Sequence, residues 1–265
     1  MQFVSINNVV IRYDVTGAGD GKPVIVFINS LGTDARIWDL VLPKLSEDFA
    51  LVTYDKRGHG LSDLGAPPYR IEDHAADLAG LIDHLGYANV IICGLSVGGL
   101  IAQSLYATRP DLVRALILSN TAHKIGTAEM WAERIAQVEA EGLGPMVNGI
   151  MVRWFTAPYR VPENVAYRGY CNMLLRQPVA GYAGTCAAIR DADFTEVAKN
   201  IAVPTLCIVG AEDGSTPPDL VRSLADLVPG SRYHVIDDAA HIPCAEAPAA
   251  YAAIIREFLT QLPGE

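Results

Sequence analysis

The run "VIICGLSVGGLIAQ", residues 90 to 103, carries an apolar stretch through Gly94-Leu95-Ser96-Val97-Gly98 into a helix-length pattern. This is a G-x-S-x-G sequence with a strand before it and a helix after it, which is the context that makes a serine nucleophile. A turn that sharp strains the serine backbone, and flanking glycines remove the Cβ atoms that would collide with the strand and helix. The helix N-terminus beyond Ser96 carries partial positive charge, which favours a developing anion. A glycine-rich helix entry is the plainer reading of the bare motif, and the context favours the nucleophile.

A serine hydroxyl attacks a carbonyl only if a base takes its proton and a third group orients that base. Behind a G-x-S-x-G turn the two partners follow in the order acid, then histidine. Of the six histidines, only His123, His234 and His241 come after Ser96. His234 falls inside the strand pattern "RYHVID" and His123 just past "ILSNTA", whereas His241 lies in the loop "DDAAHIPCAEAP" and is the expected base. The other five are expected to be surface or satisfied polar residues. The acid belongs in the loop after the preceding strand, where "TLCIVGAEDGSTPP" offers Glu212 and Asp213. Asp213 is preferred, because the Asp-Gly step suits a tight turn and Pro217 can open a helix. Turn former or helix cap is the alternative role for either acid.

These residues need a scaffold that delivers three loops to one edge. Apolar, β-branched runs recur as "VVIRYDV", "VIVFI", "FALVTY", "VIICG", "VRALILS", "TLCIVG" and "RYHVID", and they read as strands. Helix-length segments such as "IEDHAADLAGLIDHLG" and "GLIAQSLYATRP" separate most of them, which implies a parallel sheet covered on both faces. From about Ala122 to Asp193 no strand-like run occurs, only helical patterns rich in Trp, Tyr, Met and Arg. The expected organisation is therefore a core of residues 1–121 and 194–265 with a helical cap, 122–193, over the sheet's carboxyl edge. An ordinary helical decoration is the alternative for that insertion.

The 265 residues, 51% hydrophobic and 19% charged, suffice for one sizeable core. A formal net charge of −10 argues against a nucleic-acid partner, which needs clustered Lys and Arg. Cys93, Cys171, Cys186, Cys207 and Cys244 are odd in number and scattered, which fits free thiols in a reducing cytoplasm rather than disulfides or a metal cluster. No basic leader with an apolar core and no membrane-length apolar run is evident, so a cytoplasmic protein without a membrane partner is expected. The sequence does not specify an oligomeric state.

Ser96, Asp213 and His241 in this order, with "YDKRGHGLSD" at residues 54 to 63, resemble the α/β-hydrolase fold: a mostly parallel central sheet flanked by helices, with a helical cap insertion. More narrowly, "INSLGTDARIWD", "YDKRGHGLSD", "CGLSVGGLIAQ" and "AAIRDADF" resemble the 3-oxoadipate enol-lactonases of aromatic-compound catabolism. The resemblance implies hydrolysis of a small anionic lactone through an acyl-enzyme, with no metal and no organic cofactor. It also implies an oxyanion hole made by the backbone NH groups of Leu31 and Val97. Many relatives carry His-Gly where this chain has Asn29-Ser30, so those two side chains are expected to shape the turn rather than to react.

A carboxylate-bearing lactone needs local positive charge on an acidic protein. The segment from Ala122 to Asp193 carries Lys124, Arg134, Arg153, Arg160, Arg168, Arg176 and Arg190 against seven acids. Arg190 is the expected carboxylate anchor, with a structural pair to Asp191 or Asp193 as its alternative. Trp131, Trp154 and Phe155 are expected to wall an apolar pocket, or simply to pack the cap. A general carboxylesterase, a perhydrolase or a meta-cleavage carbon-carbon hydrolase fits the same triad, since one fold hosts many reactions. A non-catalytic ligand receptor on a hydrolase scaffold is the alternative of another class.

Overall fold

The computed structural model describes residues 1–18 and 21–262. Among these residues, eight strands form one sheet: β1 (Gln2–Ile6), β2 (Val9–Thr16), β3 (Val24–Ile28), β4 (Ala50–Tyr54), β5 (Val90–Leu95), β6 (Val113–Ser119), β7 (Thr205–Gly210) and β8 (Arg232–Ile236). Their spatial order is β1-β2-β4-β3-β5-β6-β7-β8. The β1–β2 and β2–β4 pairs are antiparallel and the remaining pairs parallel. All seven strands expected from the sequence are present. The eighth, β1, has an exposed or half-exposed face along its whole length and joins β2 through Asn7 and Asn8, both at positive φ (51° and 62°). That is the two-residue turn whose twist matches a right-handed hairpin.

The helices are α1 (Leu42–Leu45), α2 (Ile71–His84), α3 (Val97–Thr108), α4 (Ala128–Glu141), α5 (Val147–Trp154), α6 (Val165–Leu175), α7 (Val179–Asp191), α8 (Thr195–Lys199), α9 (Pro218–Leu227), α10 (Pro243–Glu246) and α11 (Pro248–Thr260). In α2 the buried apolar residues Ile71, Ala75, Leu78, Leu81 and Ile82 recur at helical spacing, giving one stripe toward the core. The central strands β3, β4, β5 and β7 are buried almost throughout, which requires cover on both faces. Neighbouring residues of β5 show where it comes from. A Cβ on Gly94 would strike the backbone of Gly98 in α3, while the adjacent Cys93 thiol lies 3.5 Å from the Tyr251 hydroxyl of α11. Successive strand residues face opposite ways, so α3 and α11 cover opposite faces. Between β6 and β7 the chain runs through α4 to α8 without a strand, and α4 packs chiefly on α7.

Candidate active site

Ser96 ends β5 and caps α3 with φ 58° and ψ −118°, a sparsely populated conformation that costs about 1–3 kcal/mol. The packing around it explains why it persists. A Cβ on Gly98 would lie 2.4 Å from the Ile28 carbonyl oxygen, so the turn at Ser96 rests directly on the end of β3. Ser96 donates its NH to Ser119 O at 2.9 Å, and its own carbonyl accepts from Thr121 Oγ1 at 2.7 Å. Val97 is the first helical residue, where an NH has no intrahelical acceptor.

Asp213 follows β7 and is almost fully buried. Its Oδ1 accepts from the NH groups of Ser215 (2.7 Å) and Thr216 (2.9 Å), and Oδ2 from Thr216 Oγ1 (2.7 Å) and Asn120 Nδ2 (2.8 Å). His241 Nδ1 sits 3.0 and 2.9 Å from the two oxygens. Burial opposes ionisation of Asp213, but the adjacent His241 and these donors outweigh it and hold the carboxyl below its ordinary range. The loop carrying His241 crosses β7 closely. A Cβ on Gly210 would lie 2.1 Å from Ala240 O, so glycine is what permits the approach. Glu246 then ties that loop outward, accepting from Ala240 N at 2.7 Å and from Thr156 N and Oγ1 at 2.8 Å.

The loop after β3 is closed by its own polar groups. Asn29 Nδ2 donates to the Thr33 carbonyl, and Thr33 Oγ1 donates to Ser30 O at 2.9 Å. Gly32 donates its NH to His59 Nε2 at 3.0 Å. Both Asn29 and Ser30 are buried.

Ser96, His241, Ser30, Leu31 and Thr216 share a cavity of about 280 Å³ with Trp131, Trp154, Met130, Tyr182, Arg134 and Arg153. Phe155 instead stacks on Tyr159 and is not among the cavity residues. The cavity has no Asp or Glu in its lining and two guanidinium groups. The Arg134 guanidinium carbon lies 5.3 Å from the Trp131 ring centroid, and Trp131 is itself fixed by Nε1 to Ile125 O at 2.6 Å. Burial, followed by repulsion from Arg134, makes the Arg153 cation less favourable than usual. Two like charges near one another, with no carboxylate in the lining, make the cavity favourable to negative charge.

Arg190 is elsewhere. It pairs with Asp191 through Nε at 2.7 Å and Nη2 at 2.8 Å and does not line the cavity, whereas Arg134 of α4 and Arg153 of α5 do. The expected state of the remaining histidines also needs amendment: His74 is buried with neither ring nitrogen partnered among the described residues, edge-on to Tyr69. Asn120 and Thr216, which complete the carboxylate's shell, went unseen in the sequence because each is a lone hydrogen-bonding residue without a motif. Among the described residues there is no group of three or more His, Cys, Asp or Glu placed to hold a metal ion, and no helix is long and apolar enough to cross a membrane.

A family model described as alpha/beta hydrolase fold matches residues 23–248. The 3-oxoadipate enol-lactonase 2 of Acinetobacter baylyi is 32% identical over 248 residues, spanning 94% of this chain and 92% of that protein. The crystal structure of the enol-lactonase from Burkholderia xenovorans superposes with a TM-score of 0.94 at 36% identity, covering 98% of this chain and 100% of that one. A thermophilic esterase from Thermogutta terrifontis with malate bound gives a TM-score of 0.91 at 26% identity, covering 99% of both chains.

Proposed function

This chain is a hydrolase that belongs to the alpha/beta hydrolase fold family, and from that premise we propose that it opens 3-oxoadipate enol-lactone to 3-oxoadipate in aromatic-compound catabolism. The observation that carries the substrate class is the acid-free cavity in which Arg134 and Arg153 share space with Ser96 and His241. On a chain of net charge −10, two cations in a cavity whose lining holds no Asp or Glu suit the carboxylate of a small lactone. Trp131, Trp154 and Met130 supply the apolar walls. The enol-lactonase likenesses agree with this choice.

In the proposed reaction the residues 122–193 act as a cap that closes the site. Ser96 Oγ bonds to the lactone carbonyl carbon while its proton passes to His241 Nε2, the nitrogen left free by the Nδ1 contact with Asp213. The carbonyl oxygen becomes an oxyanion held by the NH groups of Leu31 and Val97, each worth about 3 kcal/mol in the barrier. Collapse breaks the bond to the ring oxygen, which leaves as an enol after taking the proton from His241, and the enol ketonises. The acyl-enzyme keeps the whole product skeleton. Water then adds to the acyl carbon, giving its proton to His241, and expulsion of Ser96 Oγ with return of that proton releases the dicarboxylate. One water is consumed and no cofactor enters.

The test is to follow loss of the enol-lactone chromophore beside a panel of neutral esters. A kcat/KM advantage for the anionic lactone supports the reading. Equal or better rates on neutral esters would overturn it in favour of a general carboxylesterase.

A further inference from the structure

Lys56 is 1% exposed, and nothing in the proposed triad chemistry uses it. Its Nζ donates to Ser30 O at 2.7 Å. Thr33 NH (3.3 Å), Thr33 Oγ1 (2.9 Å) and Asn29 Nδ2 (3.4 Å) reach the same oxygen, so Lys56 is the shortest and only ionisable donor to it. That carbonyl belongs to the peptide unit whose other end is the Leu31 NH. The unit is trans, and in a trans peptide the C=O and N–H point in opposite directions. Lys56 lies outside the cavity while Ser30 and Leu31 line it, so a carbonyl drawn toward Lys56 leaves the Leu31 NH pointing away from Lys56.

The next peptide is pinned from the same segment, since Gly32 NH donates to His59 Nε2 at 3.0 Å. The segment itself is anchored: Arg57 pairs with the buried Asp77 of α2 through Nε at 2.6 Å and Nη2 at 2.7 Å. Resting on the reading that Leu31 supplies an oxyanion donor, we propose that Lys56 is a positioning residue of the hydrolysis, orienting the Ser30–Leu31 peptide and polarising it so that its NH is a stronger donor to the oxyanion. Charge on one end of a peptide strengthens the hydrogen bond at the other, and in a buried site this acts with little screening.

The charge on Lys56 is adjustable. Burial lowers its pKa to about 7, against the opposing pull of Asp55 and Asp34. His59 and His74 also face it and are kept neutral by burial and by Lys56 itself, while Arg57 beside it is neutralised by Asp77. A neutral Lys56 amine still donates a proton to Ser30 O, so orientation persists when polarisation is lost.

The experiment compares Lys56→Met, which removes donor and charge at similar length, with Lys56→Gln, which keeps a donor without charge. Each is assayed on a neutral aryl ester and titrated with a trifluoromethyl ketone, whose hemiketal on Ser96 carries an oxyanion. The expected result for Lys56→Met is a fall of about tenfold or more in kcat and a matching loss of ketone affinity. KM should stay near the parent's and Tm should not fall, Lys56→Gln should lie between the two in kcat and ketone affinity, and the parent's decline in kcat above neutral pH should flatten in both variants. If Lys56→Met keeps the parent's kcat and ketone affinity, or loses KM and Tm along with them, Lys56 is only structural and the proposal is overturned. If the parent itself forms no ketone adduct at Ser96, the oxyanion reading falls and the proposal with it; an adduct equally tight in parent and Lys56→Met overturns the proposal alone.

Discussion

Asn120 Nδ2 lies 2.8 Å from Asp213 Oδ2 and 3.1 Å from Ala240 O, so one side chain from the end of β6 holds both Asp213 and the loop that carries His241. Its own backbone, at φ 48°, is held by donation to Ile208 O at 2.7 Å. Asn120→Ala is expected to lower stability by about 1.5–3 kcal/mol, the scale for a hydrogen bond to a charged group. It should also raise the Asp213 pKa toward its ordinary value. A urea melt and the acid limb of kcat/KM read the two effects. Unchanged values for both would show that the other donors suffice.

Ser96→Ala tests the nucleophile directly. It should lower kcat by at least about 10⁴-fold, because triad members act as a unit and what remains comes from the oxyanion hole and binding. A fluorophosphonate probe should label the parent and not the variant. Retained hydrolysis would move the nucleophile elsewhere.

Gly210→Ala tests how His241 reaches Asp213. The new Cβ would fall 2.1 Å from Ala240 O and 2.4 Å from Ala239 O, both backbone atoms that cannot rotate away. The loop must shift, at about 1–3 kcal/mol in stability. Because that loop carries His241, the fluorophosphonate labelling rate should fall further than the stability loss alone would produce in the folded fraction. Labelling at the parent's rate by a fully folded variant would show that the loop adapts.

The parts of the fold with strong apolar patterning were legible. Strands β2 to β8 announced themselves as β-branched runs, and the proposed triad was picked out by its order behind G-x-S-x-G. β1 did not, because an edge strand with burial only at Val4 and Ile6 has little apolar pattern to show; the Asn7-Asn8 turn was its one signal. Which arginines line the cavity was not legible, for another reason. Which way a helical arginine points depends on how the helix is rotated against the sheet, and that is set by tertiary packing. Trp131 and Arg134, three apart and therefore on one face of α4, were the sequence signal for its phase, whereas Arg190 had an acid next to it that could satisfy it locally.

Arg153 and Arg190 therefore make a matched comparison. Arg153→Gln should raise KM for the anionic lactone by about tenfold or more, the scale of one charge-assisted hydrogen bond, while leaving KM for a neutral aryl ester near the parent's. Arg190→Gln loses an exposed pair with Asp191, worth about 0–1 kcal/mol, and should alter neither. A large lactone-specific effect at Arg190 instead would restore the anchor to α7.

Asp213 and Lys56, both buried, give stability pH signatures of the same sign in different windows. Asp213 has a depressed pKa in the folded protein, so its ionised form contributes stability that is present above the ordinary aspartate range and is lost as pH falls through the lower folded value. Lys56 acts in the same direction at higher pH, with its neutral form the favoured one. With its folded pKa lowered from 10.5 to about 7, the unfolded chain binds more protons between those values, and stability rises with pH across that window. Below about pH 7 the folded protein holds a buried ammonium at a cost of a few kcal/mol, on the order set by such shifts. Urea melts from pH 6 to 10 should show that rise in the parent, with about half of it or more absent in Lys56→Met, whose apolar side chain no longer exchanges a proton on unfolding. An equal rise in parent and variant would mean that Lys56 keeps its ordinary affinity for the proton, and that the ammonium bound to Ser30 O stays charged throughout the working range.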